Sequence, residues 1–122
     1  MDNNLYIKMY ESLISNEFLC SNQLNLEIVL KKVINDDTGG IEEFIRKNVD
    51  NKQEFYFNFI NLFTSVNNGY LIVKYFKIIN IPRTYISIYV NKFNFEKISN
   101  GIYLHKNSLK DDFFNLQLKY KK

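Results

Sequence analysis

The stretch from Phe55 to Val73 holds no charged side chain, and nothing else in the chain narrows its fold as much. A run that long belongs either in a bilayer or at the centre of a protein. Asn58, Asn61, Asn67 and Asn68 decide between the two, because amides in lipid would lack hydrogen-bond partners. Phe55, Phe59, Leu62, Phe63 and Val66 recur at three and four residues, with Tyr56 and Ile60 widening the stripe. That spacing predicts a core helix from about Lys52 to Val66 and no membrane span. Asn67-Asn68-Gly69 stops the helix, since both residue types tolerate the left-handed conformation that a helix end requires.

Three helices are expected upstream. Residues 4–19 carry Leu5, Met9 and Leu13 at helical spacing, with Ile7, Tyr10 and Ile14 beside them. A second helix, capped by Ser21 or Asn22, runs through Leu24, Ile28, Val29 and Val33. The Asn35–Gly40 break follows, and Thr38 is placed to cap a third helix through Ile41, Phe44, Ile45 and Asn48.

After Gly69 the texture changes. Tyr70-Leu71-Ile72 reads as a short strand, and Val73 to Ile79 as two helical turns closed by Asn80. Pro82 restarts the chain near the first position of a helix reaching about Lys92, where its missing N–H costs nothing. Ile86, Tyr89, Val90 and Phe93 form one side of that helix. Thr84, Ser87 and Asn91 form the other, Arg83 opens it, and Ile88 lies between the two faces. Phe95–Ser99 and Ile102–His105 flank Asn100-Gly101 as a tight hairpin. A last helix is expected from about Leu109, carrying Phe113, Leu116 and Tyr120.

A chain of 122 residues that is 46% apolar and 24% charged is not a disordered polymer and has enough mass for one packed core. The net charge of +3 conceals a segregation: residues 71–122 carry ten Lys and Arg against three carboxylates, whereas residues 1–70 carry six against ten. A concentrated positive field is the footprint of phosphate binding. The single cysteine, Cys20, forms no internal disulfide and fits a reducing compartment, and no basic signal segment precedes it, so a cytoplasmic location is expected. His105 stands without a ligand-spaced Cys, His or Asp cluster, and Gly39-Gly40 lacks the Lys-Ser/Thr of a phosphate loop. The adjacent acid pairs Asp36-Asp37, Glu42-Glu43 and Asp111-Asp112 read as first-turn helix acids. No enzyme, metal or cofactor is expected.

The fold class expected is therefore α+β and mostly helical: a helical N-terminal annex over 1–51 and a winged helix-turn-helix over 52–122. In such a unit the second helix buries one side and offers short polar side chains to base edges, while the hairpin reaches the backbone. The run Gly69-Tyr70-Leu71, Ile81-Pro82-Arg83-Thr84-Tyr85-Ile86 and Phe95 to Leu104, with the tail Asp111 to Lys122, resembles the N-terminal winged-helix domain of AbiEi-type antitoxins from the abortive-infection (type IV) toxin–antitoxin systems. The resemblance covers about the last 70 residues. It implies operator binding and repression of the chain's own operon. It also marks departures: Asn80 replaces the usual glycine, Ile72 the usual Thr or Ser opening a helix, and Asn100 the usual wing arginine. The family's larger toxin-countering domain has no counterpart within these residues.

Two functions follow as expectations. The first is double-stranded DNA binding, with Arg83, Lys74, Lys77, Lys97 and Lys106 on phosphates, Thr84, Ser87 and Asn91 on base edges, and Asn100 at the wing tip. The annex then packs on the winged helix or forms a homodimer. The second is a small phage or mobile-element inhibitor of a host defence protein, in which Asp36, Asp37, Glu42 and Glu43 form an acidic contact that imitates nucleic-acid charge.

Overall fold

A computed structural model of the chain describes residues 3–105. Four helices come first: α1 (Asn4–Ile14), α2 (Gln23–Ile34), α3 (Ile41–Asn48) and α4 (Lys52–Val66). Strand β1 (Tyr70–Ile72) leads into a 3-10 segment, Val73–Ile79, followed by α5 (Arg83–Lys92), β2 (Phe95–Ser99) and β3 (Ile102–His105). The strands form one antiparallel sheet in the order β1-β3-β2. The chain is thus α+β and predominantly helical. The last helix expected from Leu109, and Lys106 with it, lie outside the described residues.

The charge-free stretch forms the centre. Phe55, Phe59, Ile60, Leu62 and Phe63 of α4 are fully buried. The rings of Phe59 and Phe63 meet Phe76 edge-on at 6.0 and 5.2 Å, and Phe63 leans on Tyr75 at 5.1 Å. Such edge-to-face pairs add to what burial of the rings already contributes. The helix starts on a reciprocal cap: Asn51 Oδ1 accepts from the Glu54 N–H at 3.0 Å, and the Glu54 carboxylate accepts from Asn51 Nδ2 at 3.4 Å. Glu54 also accepts from the Ser21 hydroxyl, which ties the α1–α2 connection to α4. Among the described residues, no helix is long and apolar enough to cross a membrane.

The N-terminal helices share this core. Tyr6, Met9 and Leu13 of α1 are fully buried, and the Tyr6 hydroxyl donates to the Tyr75 carbonyl at 2.8 Å. The buried residues from α1 through α5 form one cluster.

Several local expectations need correction. The first helix ends at Ile14, and its buried line includes Tyr6, whereas Ile7 and Ile14 are exposed. Tyr6 is preferred because its ring fills the core while its hydroxyl keeps a hydrogen-bond partner in the Tyr75 carbonyl. In α2 the inward residues are Leu26, Val29, Leu30 and Val33, and Leu24 faces solvent. Asn22 precedes α2 in the left-handed region without a side-chain cap bond, and Ser21 points to Glu54 and Asn58 instead. Gly40, not Thr38, occupies the cap position of α3. Asp36 and Asp37 follow α2 at its C-terminal end, so they are not first-turn acids; Glu42 and Glu43 are.

Asn closes or opens most of these elements. Asn16, Asn22, Asn68, Asn80 and Asn94 all have positive φ, as does Asp36, and each stands at the end or start of a helix. Five of the sixteen asparagines in the described residues thus serve at left-handed helix boundaries.

Burial and capping make separable contributions to stability. Phe63→Ala is expected to destabilise the chain by ~3–5 kcal/mol, and Asn51→Ala by about 1 kcal/mol. Urea denaturation checks both, and equal losses would show that the core is not centred on α4.

Candidate nucleic-acid interface

The geometry is set where the wing tip meets the start of the 3-10 segment. Ile72 precedes that segment in extended backbone and offers no side-chain cap. The first N–H, on Val73, donates instead to the Gly101 carbonyl of the hairpin turn at 2.9 Å. Gly101 has φ +77, and its Cα hydrogen lies over Val73, where a Cβ would stand 4.0 Å away. The register of β2 on β3 slips by one residue between Lys97 and Ser99 just before this turn. That irregularity adds twist to the hairpin end. The 3-10 segment closes on Asn80 at φ 55, ψ 47, and Pro82 begins α5. The left-handed Asn80 therefore does what a glycine would do at that turn.

This arrangement brings Lys74, Lys77, Arg83 and Asn100 to one open groove of about 400 Å³, floored by Ile72, Val73 and Ile102. Among the described residues, no carboxylate lines it. The ion pairs of the described residues lie elsewhere, on Lys32, Arg46 and Lys47, so the three groove cations are unneutralised within the described residues. Lys74 rests its ammonium over the Tyr75 ring at 5.5 Å from the centroid, which restrains the side chain without cancelling its charge.

Helix α5 presents the expected two faces. Ile86, Tyr89 and Val90 are buried, while Arg83, Thr84, Ser87 and Asn91 are exposed. Ile88 is 39% exposed beside them. Arg83 is the residue shared by the groove and the polar face. Lys97 is exposed on β2 opposite Tyr103 and does not line the groove. Tyr75 and the Val73–Gly101 bond were not singled out from sequence, because neither has a local pattern that announces it.

The acidic residues are not brought together in the same way. Asp37 approaches Lys32 at 3.8 Å. Glu43 is shared by Lys47 at 3.2 Å and Arg46 at 3.5 Å. Glu42 and Glu43 line a shallow depression with Arg46, Ile78 and Asn80, and neither Asp36 nor Asp37 reaches it.

The reactive candidates are packed away. Cys20 is buried between α1 and α2, and burial, with Glu54 nearby, pushes its thiol up to about 12. His105 is buried at the end of β3 with its ring edge-on to Phe95 at 5.1 Å, and loss of solvent lowers its pKa. No group of three His, Cys, Asp or Glu among the described residues is placed to hold a metal.

Comparison with family models, with curated proteins and with solved structures finds nothing that matches this chain.

Two outcomes follow from the buried groups. Cys20 should resist iodoacetamide at pH 8 in the native protein and react fully in denaturant, because the thiolate is the nucleophile; equal rates by mass spectrometry would contradict its placement. His105 is held neutral in the fold. As pH falls below 6.5, its ordinary value, the unfolded chain takes up a proton that the folded chain resists. Stability should therefore decline through that window, and His105→Phe should flatten the decline in urea titrations between pH 7.5 and the carboxylate range.

Proposed function

We propose that this chain binds double-stranded DNA through a winged helix-turn-helix made of the 3-10 segment, α5 and the β2–β3 hairpin, and that it acts in the cytoplasm as a transcriptional repressor of its own operon. The resemblance to AbiEi-type antitoxins implies the same role. One observation carries the reading: Lys74, Lys77, Arg83 and Asn100 converge on a groove that no carboxylate lines among the described residues and that adjoins the exposed polar face of α5.

The dimensions suit the task. Thr84 and Asn91 are seven residues apart on α5, about 10 Å along a helix axis. That is about three base steps at 3.4 Å per step. The short side chains of Thr84, Ser87 and Asn91 let the helix lie close in the major groove, and the Asn91 amide has the donor and acceptor needed to read an adenine edge. Arg83, Lys74 and Lys77 sit at the helix entrance, where phosphate contacts fix register rather than sequence. Asn100 offers the wing backbone a neutral amide in place of a charged contact. The inhibitor reading draws less support, because Asp37 and Glu43 already engage neighbouring cations.

Fluorescence anisotropy with duplex DNA from upstream of the chain's own gene tests the proposal. Affinity should fall with salt by a log–log slope of ~0.9 per neutralised phosphate, and Lys74→Ala, Lys77→Ala and Arg83→Ala should each flatten it by about that amount. Asn91→Ala should keep the slope and erode discrimination by ~1–3 kcal/mol at one base pair. A response indifferent to salt, or binding unaltered by all three charge removals, rejects the DNA assignment.

A further inference from the structure

A second site lies on the other side of α5. A cavity of about 200 Å³ opens between the first half of α4 and the last turn of α5. Its buried amides are Asn58 and Asn61, only 6% and 5% exposed, three residues apart on one face of α4, and Asn51, Gln53 and Tyr89 add further polar lining. Phe57 and Phe93 supply apolar wall, and Glu54 and Lys92 line it as well.

The two amides are half used. Asn58 Nδ2 spends its hydrogens on the Ser21 carbonyl at 2.9 Å and the Ser21 hydroxyl at 3.2 Å. Because a carbonyl can only accept, this fixes which end of the Asn58 amide is nitrogen. Asn58 Oδ1 then has no donor among the described residues. Asn61 Oδ1 accepts a long bond from the Tyr89 hydroxyl at 3.4 Å, and Asn61 Nδ2 has no acceptor among the described residues. Buried polar groups normally find partners, and those that do not call for one from outside the chain.

The volume restricts the partner. It exceeds the ~30 Å³ share of one water and falls short of the ~300–1,000 Å³ of sites for drug-sized molecules. The chemistry restricts it further. An oxygen seeking a donor and a nitrogen seeking an acceptor, set one helical turn apart beside aromatic rings, match a flat ring carrying N–H next to C=O. We propose that this cavity binds a one-ring lactam heterocycle of the pyrimidine-dione type, with Asn58 Oδ1 accepting from the ring N–H and Asn61 Nδ2 donating to the ring carbonyl. Phe57 and Phe93 cover the ring, and Lys92 is positioned for an anionic substituent such as a nucleotide phosphate.

The inference is independent of DNA binding and is tested on the full-length protein alone. Uracil is titrated while the side-chain amide resonances of Asn58 and Asn61 are followed by NMR, with 1,3-dimethyluracil as a ring of similar shape that lacks the donors. Saturable shifts with uracil at a Kd of ~1 mM or tighter, and binding of the dimethyl compound weaker by about tenfold or more, are expected. Uridine 5′-monophosphate binding tighter than uracil, with the gain lost in Lys92→Ala, identifies a nucleotide; equal affinity identifies the free base. Asn58→Leu and Asn61→Leu should each abolish the uracil response, and the comparison of the two rings in the unaltered protein stands even where a variant does not fold. No saturable shift with uracil, or equal binding of both rings, overturns the proposal and leaves a cavity filled by water.

Discussion

Phe63 touches both Tyr75 and Phe76, and that contact is the constraint on which the rest of the structure depends. It pins the 3-10 segment to α4. The segment carries Lys74 and Lys77, and its far end is the Asn80–Pro82 turn that aims α5. Tyr75 is held from the other side as well, since the Tyr6 ring meets it edge-on at 5.7 Å and the Tyr6 hydroxyl bonds its carbonyl. The N-terminal helices therefore buttress the segment at Tyr75.

Charge follows from this packing rather than competing with it. The side chains of Val73, Phe76 and Ile79 are buried, so Lys74 and Lys77 between them must face out. Arg83 falls beside them because the chain reverses at a left-handed Asn80 and restarts at Pro82. The wing tip is drawn in by one backbone bond, Val73 to Gly101. The groove cations thus stand close together with no carboxylate among the described residues to hold them there, an arrangement that like-charge repulsion disfavours in an isolated chain. Burial of the aromatic core supplies the difference. The acids of the first half show the opposite logic. Glu43 lies at i+3 and i+4 from Arg46 and Lys47 on one helix and is partly neutralised locally.

Much of this was legible in the residues, and the boundary between legible and hidden is physical. Helix α4 and the two hairpin strands fall at the bounds their patterns suggest, because an uninterrupted apolar stripe and an Asn-Gly turn are local signals. The exposure of Thr84, Ser87 and Asn91 follows from the burial of Ile86, Tyr89 and Val90 on the same helix. Hydropathy misleads where a side chain has two natures. It ranks Ile7 above Tyr6, yet Tyr6 goes inside because its hydroxyl has a partner sixty-nine residues away. Leu24 looks like core and is not, because the face of α2 is set by its packing on α1 and α3 rather than by its own most apolar residue. Asn58 and Asn61 are the instructive case. In sequence they argue only against lipid; in the fold they are buried amides whose bonding capacity the described residues leave partly unfilled.

The use of Asn at left-handed stops explains how a chain with only four glycines makes so many sharp reversals. Glycine would adopt the same φ with no steric penalty, but it also widens the unfolded ensemble, so each such stop would lower stability through the denatured state. Asn accepts a modest strain in the fold and restricts the unfolded chain. At Asn80 the choice bears on the interface, because the angle between the 3-10 segment and α5 is set by that one residue's backbone. A stiffer residue there narrows the range of angles α5 can take, and so keeps Arg83 beside Lys74 and Lys77 rather than free to swing away from the groove.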